Sequence, residues 1–346
     1  MPKVNQHLIA ETLKISQTTV SRSFSNHPSI NPETKSLVLE TAARMGYRNA
    51  CTRVRKRSTR NLMTVGVVIG IPEPNKDQTD SFQYVLRGIT ERTSTEDIVL
   101  DILYQDPRKL NEHNLPRNLK STRWKGAILM YPFKDEVVTN LSNRVSCVSI
   151  VENYRNTLVD SIDVDRDWGI FKIVEHLHQL GHTNIGFVNW KYCIEKADWA
   201  MQRFGAYVEA LFSLGMPFTP DWCINVTPDS NTRQEEIPAI VAQHIQQNDV
   251  TAWVCAADHQ AYHLIRKLSE IGIKVPEDIS VTGFDGVEPP GNMPQLCTIK
   301  VPYIEMGNTA VNQLVRRIEQ PSAPRRHVMV DGNFCEGNTT APLKKK

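Results

Sequence analysis

The 346-residue sequence lacks any apolar run able to cross a membrane: the longest, Val65 to Ile71, ends at Pro72, far short of the ~20 residues a spanning helix needs. It also lacks a basic-then-apolar leader, which makes a cytoplasmic protein the expectation. Its seven cysteines, at 51, 147, 193, 223, 255, 297 and 335, form no CxxC pair, and an odd number leaves no complete disulfide set. Reduced thiols are expected, and no ligand spacing supports a metal or a thiol nucleophile. There is no Gly-rich phosphate loop and no nucleophile elbow. His259 and His263 stand four apart, yet HQAYH lacks the glutamate of a zinc-protease helix, while His176 and His178 point to different faces of one helix. Asp163 and Asp165 share one strand face in SIDVD without further motif. No metal, cofactor or catalysis is expected.

What is present is a charge asymmetry. Residues 1 to 62 hold 11 Lys and Arg against 3 Asp and Glu, a net of +8, whereas the remainder holds 29 against 35, a net of −6. A basic head on an acidic body points to a polyanionic partner for the head alone. Hydrophobic content of 40% excludes disorder, and the length implies two or three folded units.

Three helices are predicted in the head from cap chemistry. Asn5 caps a first helix with Leu8, Ile9 and Leu13 at helical spacing, and Ser16 caps a second that turns Val20 and Phe24 inward. Asn31, Pro32 and Glu33 supply a cap, a first-turn proline and a dipole-matched acid for a third helix, whose inward stripe is Leu37, Val38, Ala42 and Met45. Two short helices about one turn apart form a helix-turn-helix. On the second helix Gln17, Thr18, Thr19, Ser21 and Arg22 stay outside. Amide and guanidinium groups there can read base edges, and hydroxyls such as Ser16 can bind phosphate. These six residues, with Asn26 just beyond, are the candidate DNA contacts.

After residue 62, short β-rich runs alternate with helical ones. TVGVVIGI, IVLDIL, KGAILMY and SCVSIV read as buried strands, and NIGFVNW, TAWVCAA and ISVTGF repeat the arrangement, with helices such as FQYVLRGITERT and IFKIVEHLHQLG between strands. The pattern predicts parallel sheets covered on both faces, in two α/β lobes. Ligands of such sheets bind beyond the carboxyl ends of the strands, which singles out Asn189 and Trp190, Asp258 and Asp285. A carboxylate there can accept from two neighbouring sugar hydroxyls, and an aromatic face can stack on a sugar ring.

ISQTTVSRSF, INPETKSLVLETAARMGYR and ISVTGFDG, in that order, resemble the recognition helix, third helix and effector-domain strand of the lac repressor (LacI/GalR) family, and the resemblance extends over nearly all of the chain. It implies a helix-turn-helix headpiece (1–48), a basic hinge (49–62) and an effector-binding and dimerisation body (63–340) resembling periplasmic sugar-binding proteins. Lobe one would be 63–164 and 299–325, lobe two 165–298 and 326–340, with a basic tail at 341–346. The implied function is a ligand-responsive transcription regulator, by default a repressor, acting as a homodimer on a palindromic operator under a small sugar-like effector; TTAPLKKK adds no heptads for a tetramer. The alternative classes are a solute-binding protein, which would need an export signal and not the basic head, and a sugar-acting enzyme, which would need paired catalytic acids.

The resemblance implies further site residues. Arg203 in RFGAY matches the arginine that relatives use to hold effector, and Asp285 the aspartate of the GFD signature. Asp258 matches the acid of an Asn-Asp pair whose Asn is here Ala257, so Asp258 reads equally as ligand contact or as structural cap. Phe82 and Asp80 fall where relatives carry an Asn-Pro-Phe-Phe run; Phe82 reads as a stacking platform or as core. In the hinge, GYRNACTRVRKRSTRN lacks the relatives' proline, which places Arg55 where they insert a leucine into the minor groove, with Arg53 beside it; a displaced gap would leave Val54 there instead. Lys14 stands in the turn where relatives often have glycine.

Overall fold

In a computed structural model of the protein the described residues are 4–24, 27, 29–45, 47, 63–70, 80–111, 123–190, 198–227, 229–247 and 250–344. The head contains α1 (Gln6–Leu13), α2 (Gln17–Phe24) and α3 (Pro32–Arg44). Each begins at the expected cap: Asn5 Oδ1 accepts from the Leu8 N–H at 2.9 Å, Ser16 Oγ from Thr19 at 3.0 Å and Asn31 Oδ1 from Thr34 at 2.7 Å. Ile9, Val20 and Val38 are wholly buried, with Ala10 and Ala42 beside them. Fully burying side chains of that size contributes about 1.5–3 kcal/mol each, which such a small core needs. Leu37 departs from the expected stripe. It is 48% exposed, because one residue along α3 turns the helix by about 100° away from Val38.

From there the elements run β1 (Met63–Ile69), α4 (Asp80–Ser94), β2 (Ile98–Tyr104), β3 (Gly126–Met130), α5 (Asp135–Ser142), β4 (Ser146–Ile150), β5 (Asp160–Val164), α6 (Arg166–Gln179), β6 (Ile185–Val188), α7 (Asp198–Ser213), β7 (Cys223–Ile224), α8 (Ile237–Gln247), β8 (Ala252–Cys255), α9 (Asp258–Glu270), β9 (Ser280–Thr282), β10 (Thr298–Lys300), α10 (Tyr303–Glu319), β11 (His327–Val330) and β12 (Asn333–Cys335). The chain divides into two compact units, 1–163 with 303–329 and 164–302 with 330–346.

In the first unit a six-stranded sheet has the order β11-β5-β4-β3-β1-β2, and β1 to β5 pair parallel. β3 is buried along its whole length, as expected of a parallel strand covered on both faces. The returning helix α10 is tied to β5 by a buried pair: Arg317 donates Nε and Nη2 to the two oxygens of Asp160 at 3.0 and 2.6 Å, and Gln313 and the Arg326 N–H complete the carboxylate's shell. Arg317 also donates to the carbonyls of Pro321, Ala323 and Pro324, so one guanidinium fixes the turn into β11.

In the second unit β7-β6-β8-β9 form a parallel sheet, and β10 pairs antiparallel with β12. The expected return to the first lobe at residue 299 comes later, at Tyr303. β10 stays with the second unit because it pairs with β12 and bridges Asp285 to Lys300. β11 in turn stays with the first unit through residue 329, where the expected boundary was 325. Asp163 and Asp165 do not act together: Asp163 lies within β5, whereas Asp165 caps α6, accepting from the Trp168 N–H at 3.0 Å.

Lys14 closes α1 in the left-handed region, with φ 53° and ψ 38°. A side chain there costs about 1 kcal/mol relative to glycine. Lys14→Gly is therefore expected to raise the melting temperature by a few degrees, read by calorimetry, while removing a positive charge from the turn before α2.

Candidate functional site

The second unit's strand ends carry a connected set of groups. After β9 the backbone runs Gly283-Phe284-Asp285-Gly286, and each residue of that stretch has a definite task. Phe284 is wholly buried and lays its ring against the Arg203 guanidinium, 3.9 Å from ring centre to Cζ; Trp199 lies 4.8 Å from it. Arg203, on α7 and 5% exposed, thus has two aromatic faces for a guanidinium that is weakly hydrated and stacks well. Its Nη2 donates to Asp285 Oδ1 at 3.1 Å and its Nη1 to the Ala256 carbonyl at 2.5 Å. Its Nε is buried with no hydrogen-bond partner among the described residues. A donor left in that state costs free energy unless something else accepts from it.

Asp285 itself sits at φ 149°, a conformation that L residues rarely adopt. Asn225, directly after β7, also has positive φ, as do Tyr131 after β3 and Val151 after β4 in the first unit. In both units backbone strain is concentrated at the carboxyl ends of strands, where open α/β sheets receive ligands.

Asp258, the first residue of α9, is wholly buried. Its Oδ2 accepts from the Val287 N–H at 2.9 Å and its Oδ1 from the Thr298 hydroxyl at 2.7 Å, with a further bond from the Gly286 N–H, while its own N–H donates to the Phe284 carbonyl. The helix-cap reading is not met, since no side-chain bond caps α9; both oxygens instead hold β10 and the loop after β9. Gly283 is required by the same contact, since a Cβ there would lie 2.2 Å from Asp258 Oδ1. Gly286, at φ 70°, would drive a Cβ to 2.3 Å from the Lys300 backbone.

Asn189 is buried and its amide is spent on its neighbours. It donates to the Asn225 carbonyl at 3.3 Å and accepts from Gln260 at 3.3 Å, and Asn225 returns a bond to the Asn189 carbonyl at 3.0 Å. Trp190 is half-buried with its ring edge-on to His259 and His263, at 4.9 and 5.4 Å. The two histidines that resembled a metal pair by spacing thus flank an aromatic ring. Burial and the adjacent Arg266 and Lys267 hold His263 below its ordinary value.

In the first unit Phe82 is 2% exposed, packed edge-on to Tyr104 and Tyr131, which makes it core and closes its face to stacking. Asp80 opens α4. In the head, Ser16, Gln17, Thr18, Ser21 and Arg22 are exposed, while Thr19 is half-buried and its hydroxyl shares a hydrogen bond with Ser16 at 2.8 Å. Asn26, Arg53 and Arg55, with the alternative wedge Val54, lie outside the described residues. Thr298 and Trp199 carry no motif of their own; Thr298 is 40 residues from Asp258, and only folding brings those two together.

Residues 174–340 match the family of periplasmic binding protein-like domains. Catabolite control protein A of Priestia megaterium is 27% identical over 315 residues, 89% of this chain and 90% of that protein. The HTH-type transcriptional repressor PurR of Photobacterium profundum is 25% identical over 324 residues, 92% of this chain and 93% of that protein. A LacI-family regulator, CcpA of Weissella paramesenteroides, solved with bound glucose, has a similar fold, with a TM-score of 0.67 at 19% identity over 81% of this chain and 99% of that one.

Burial, and next the Asp285 charge, push Asp258 up to about 7, against the pull of its three donors. Its ordinary value is 3.8, so between these limits the folded protein holds this proton more tightly than the unfolded chain. This group's contribution to stability is then present on the acid side and lost as pH rises through about 7. Asp258→Asn is expected to flatten that fall, measured as the melting temperature of mutant relative to wild type between about pH 5 and 8.

Proposed function

We propose, from its likeness to transcription regulators over most of its length, that the chain is a ligand-responsive DNA-binding transcription regulator of the lac repressor (LacI/GalR) family, in the default case a repressor. The observation that carries the DNA-binding part is the capped α2, whose Gln17, Thr18, Ser21 and Arg22 are exposed over a buried Val20 on a head of net charge +8. A homodimer would set two such helices into successive major grooves of a palindrome, roughly 34 Å apart, with Gln17, Thr18 and Arg22 at base edges and Ser16, Thr19 and Ser21 at phosphates.

The effector is proposed to bind at the strand ends of the second unit. The buried Arg203 Nε, with no hydrogen-bond partner among the described residues, beside the Asp285 carboxylate and the Trp199 ring, supports a polar ring compound such as a sugar or sugar derivative. Bound glucose in the Weissella relative agrees with that class. Arg203 would donate, Asp285 would accept from hydroxyls, and Trp190 would offer an apolar edge. Asp258 contributes by holding the loop that carries Asp285. Control of DNA by ligand requires that ligand affinity differ between the DNA-bound and free states, and that difference is the coupling free energy.

Retarded migration of a palindromic duplex, reversed by salt, is the expected result for the head. Thermal-shift screening with sugars, sugar acids, sugar phosphates and purines is expected to give a hit, since a ligand at 100 times its dissociation constant adds about 2.7 kcal/mol. Arg203→Lys and Asp285→Asn should each abolish most of that shift while the free protein still melts cooperatively; an unchanged shift in both would remove these residues from the site.

A further inference from the structure

The first unit contains a contact that the proposed function leaves unused. The head is seated on the outer strand of the six-stranded sheet. Lys35 and Leu39 of α3, with Ser23 and Phe24 of α2, form one wall of a cleft whose other wall is Ile98, Val99 and Leu100 of β2. Beside it, Glu33 of α3 pairs with Arg87 of α4 at 2.7 Å, and Gln83 of α4 donates to Glu40 at 3.4 Å. Leu39 does not belong to the head's own core, which Val38 and Ala42 serve from the same helix. Its apolar side is explained only by the seat.

An outer strand needs a cover, and the head supplies one here. The cover is nevertheless made of parts that separate at small cost. Lys35 is only 5% exposed, and burial pushes its ammonium down to about 8. The Glu33–Arg87 pair is exposed, with side chains 63% and 36% accessible, where such pairs contribute little. The Gln83–Glu40 bond is at the long end of the range.

We propose that the head alternates between this seat on β2 and α4 and a released position, and that seating withholds it from DNA. In the seated form Lys35 is buried away from any phosphate, and the direction of α2 is set by the first lobe, not by the groove. Release returns the lysine to solvent and frees α2 to meet the duplex. The apparent DNA affinity is then the intrinsic affinity multiplied by the released fraction. The consequence for DNA rests on the regulator reading, but the seat itself can be measured without DNA.

The test uses the full chain, wild type and two variants. Leu39→Glu and Arg87→Ala loosen the seat from opposite sides. Hydrogen exchange over α3 and α4 reads the seat, and a fluorescent mixed-sequence duplex at low salt reads DNA binding. Both loosening variants are expected to exchange faster over α3 and α4 and to bind the duplex more tightly, by roughly five-fold if seating is worth as much as one good surface ion pair. Exchange unaltered in both loosening variants would mean that the head is not seated in solution and would overturn the proposal. Faster exchange with unchanged or weaker DNA binding would equally overturn it, because seating would then not withhold the head. A wild type and variants that all fail to bind any duplex would refute the regulator reading and this consequence together, while the exchange data would still report the seat.

Discussion

One buried carboxylate organises the second unit's strand ends. Asp258 accepts from Val287, Gly286 and Thr298, and so joins the start of α9 to the loop after β9 and to β10. Everything in the candidate site follows from that anchorage. The loop it holds places the Phe284 ring under Arg203 and turns Asp285 to meet Nη2. An apolar residue of equal size would fill the space but leave three donors buried without acceptors, at a cost of about 1–3 kcal/mol each. A carboxylate in that position is expensive to bury and expensive to remove, and what it provides is a single loop geometry.

That geometry is strained, and the strain has to be balanced locally. Asp285 at φ 149° persists because its N–H and carbonyl are engaged by the Ile299 carbonyl and the Val301 N–H, and its carboxylate by Arg203. The arginine is in turn held by the Ala256 carbonyl and by Phe284. The result is a donor and an acceptor presented side by side without further rearrangement, the arrangement that lowers the ordering cost of a ligand.

How much of this is legible in sequence depends on the range of each interaction. The three caps of the head were readable because Asn5, Ser16 and Asn31 bond to backbone three residues away. Most strands of the two sheets were readable because parallel strands are continuous apolar runs. β7, β10 and β12 were not, being two or three residues long and defined by pairing alone, nor was β11, which is largely exposed at the outer edge of its sheet. Asp285 was readable from its place after a strand and Arg203 only from the family resemblance, while Trp199, which stacks on Arg203, has no local signature. The Arg317–Asp160 pair spans 157 residues and leaves no trace in any window of sequence. Leu37 shows the limit of periodicity itself: an apolar residue adjacent to the stripe looks inward until neighbouring Val38 takes the core position.

Asp258 and Ala257 together narrow how a ligand could be recognised on the proposed reading. The resembled family offers a polar pair at these two positions. Here Ala257 is an apolar, buried residue, and both Asp258 oxygens already accept bonds within the fold, from Val287, Gly286 and Thr298. Asn189 is likewise spent on Asn225 and Gln260. Polar recognition then falls on few groups, chiefly the Arg203 guanidinium and the Asp285 carboxylate, with aromatic edges supplying area. A site with few polar contacts discriminates strongly only at the hydroxyls that those contacts read, because only there would a missing group leave a buried partner unsatisfied. Elsewhere on the ligand a lost or added hydroxyl would change affinity little. Relaxed selectivity around one strictly read hydroxyl pair is therefore the recognition pattern that this arrangement of residues favours.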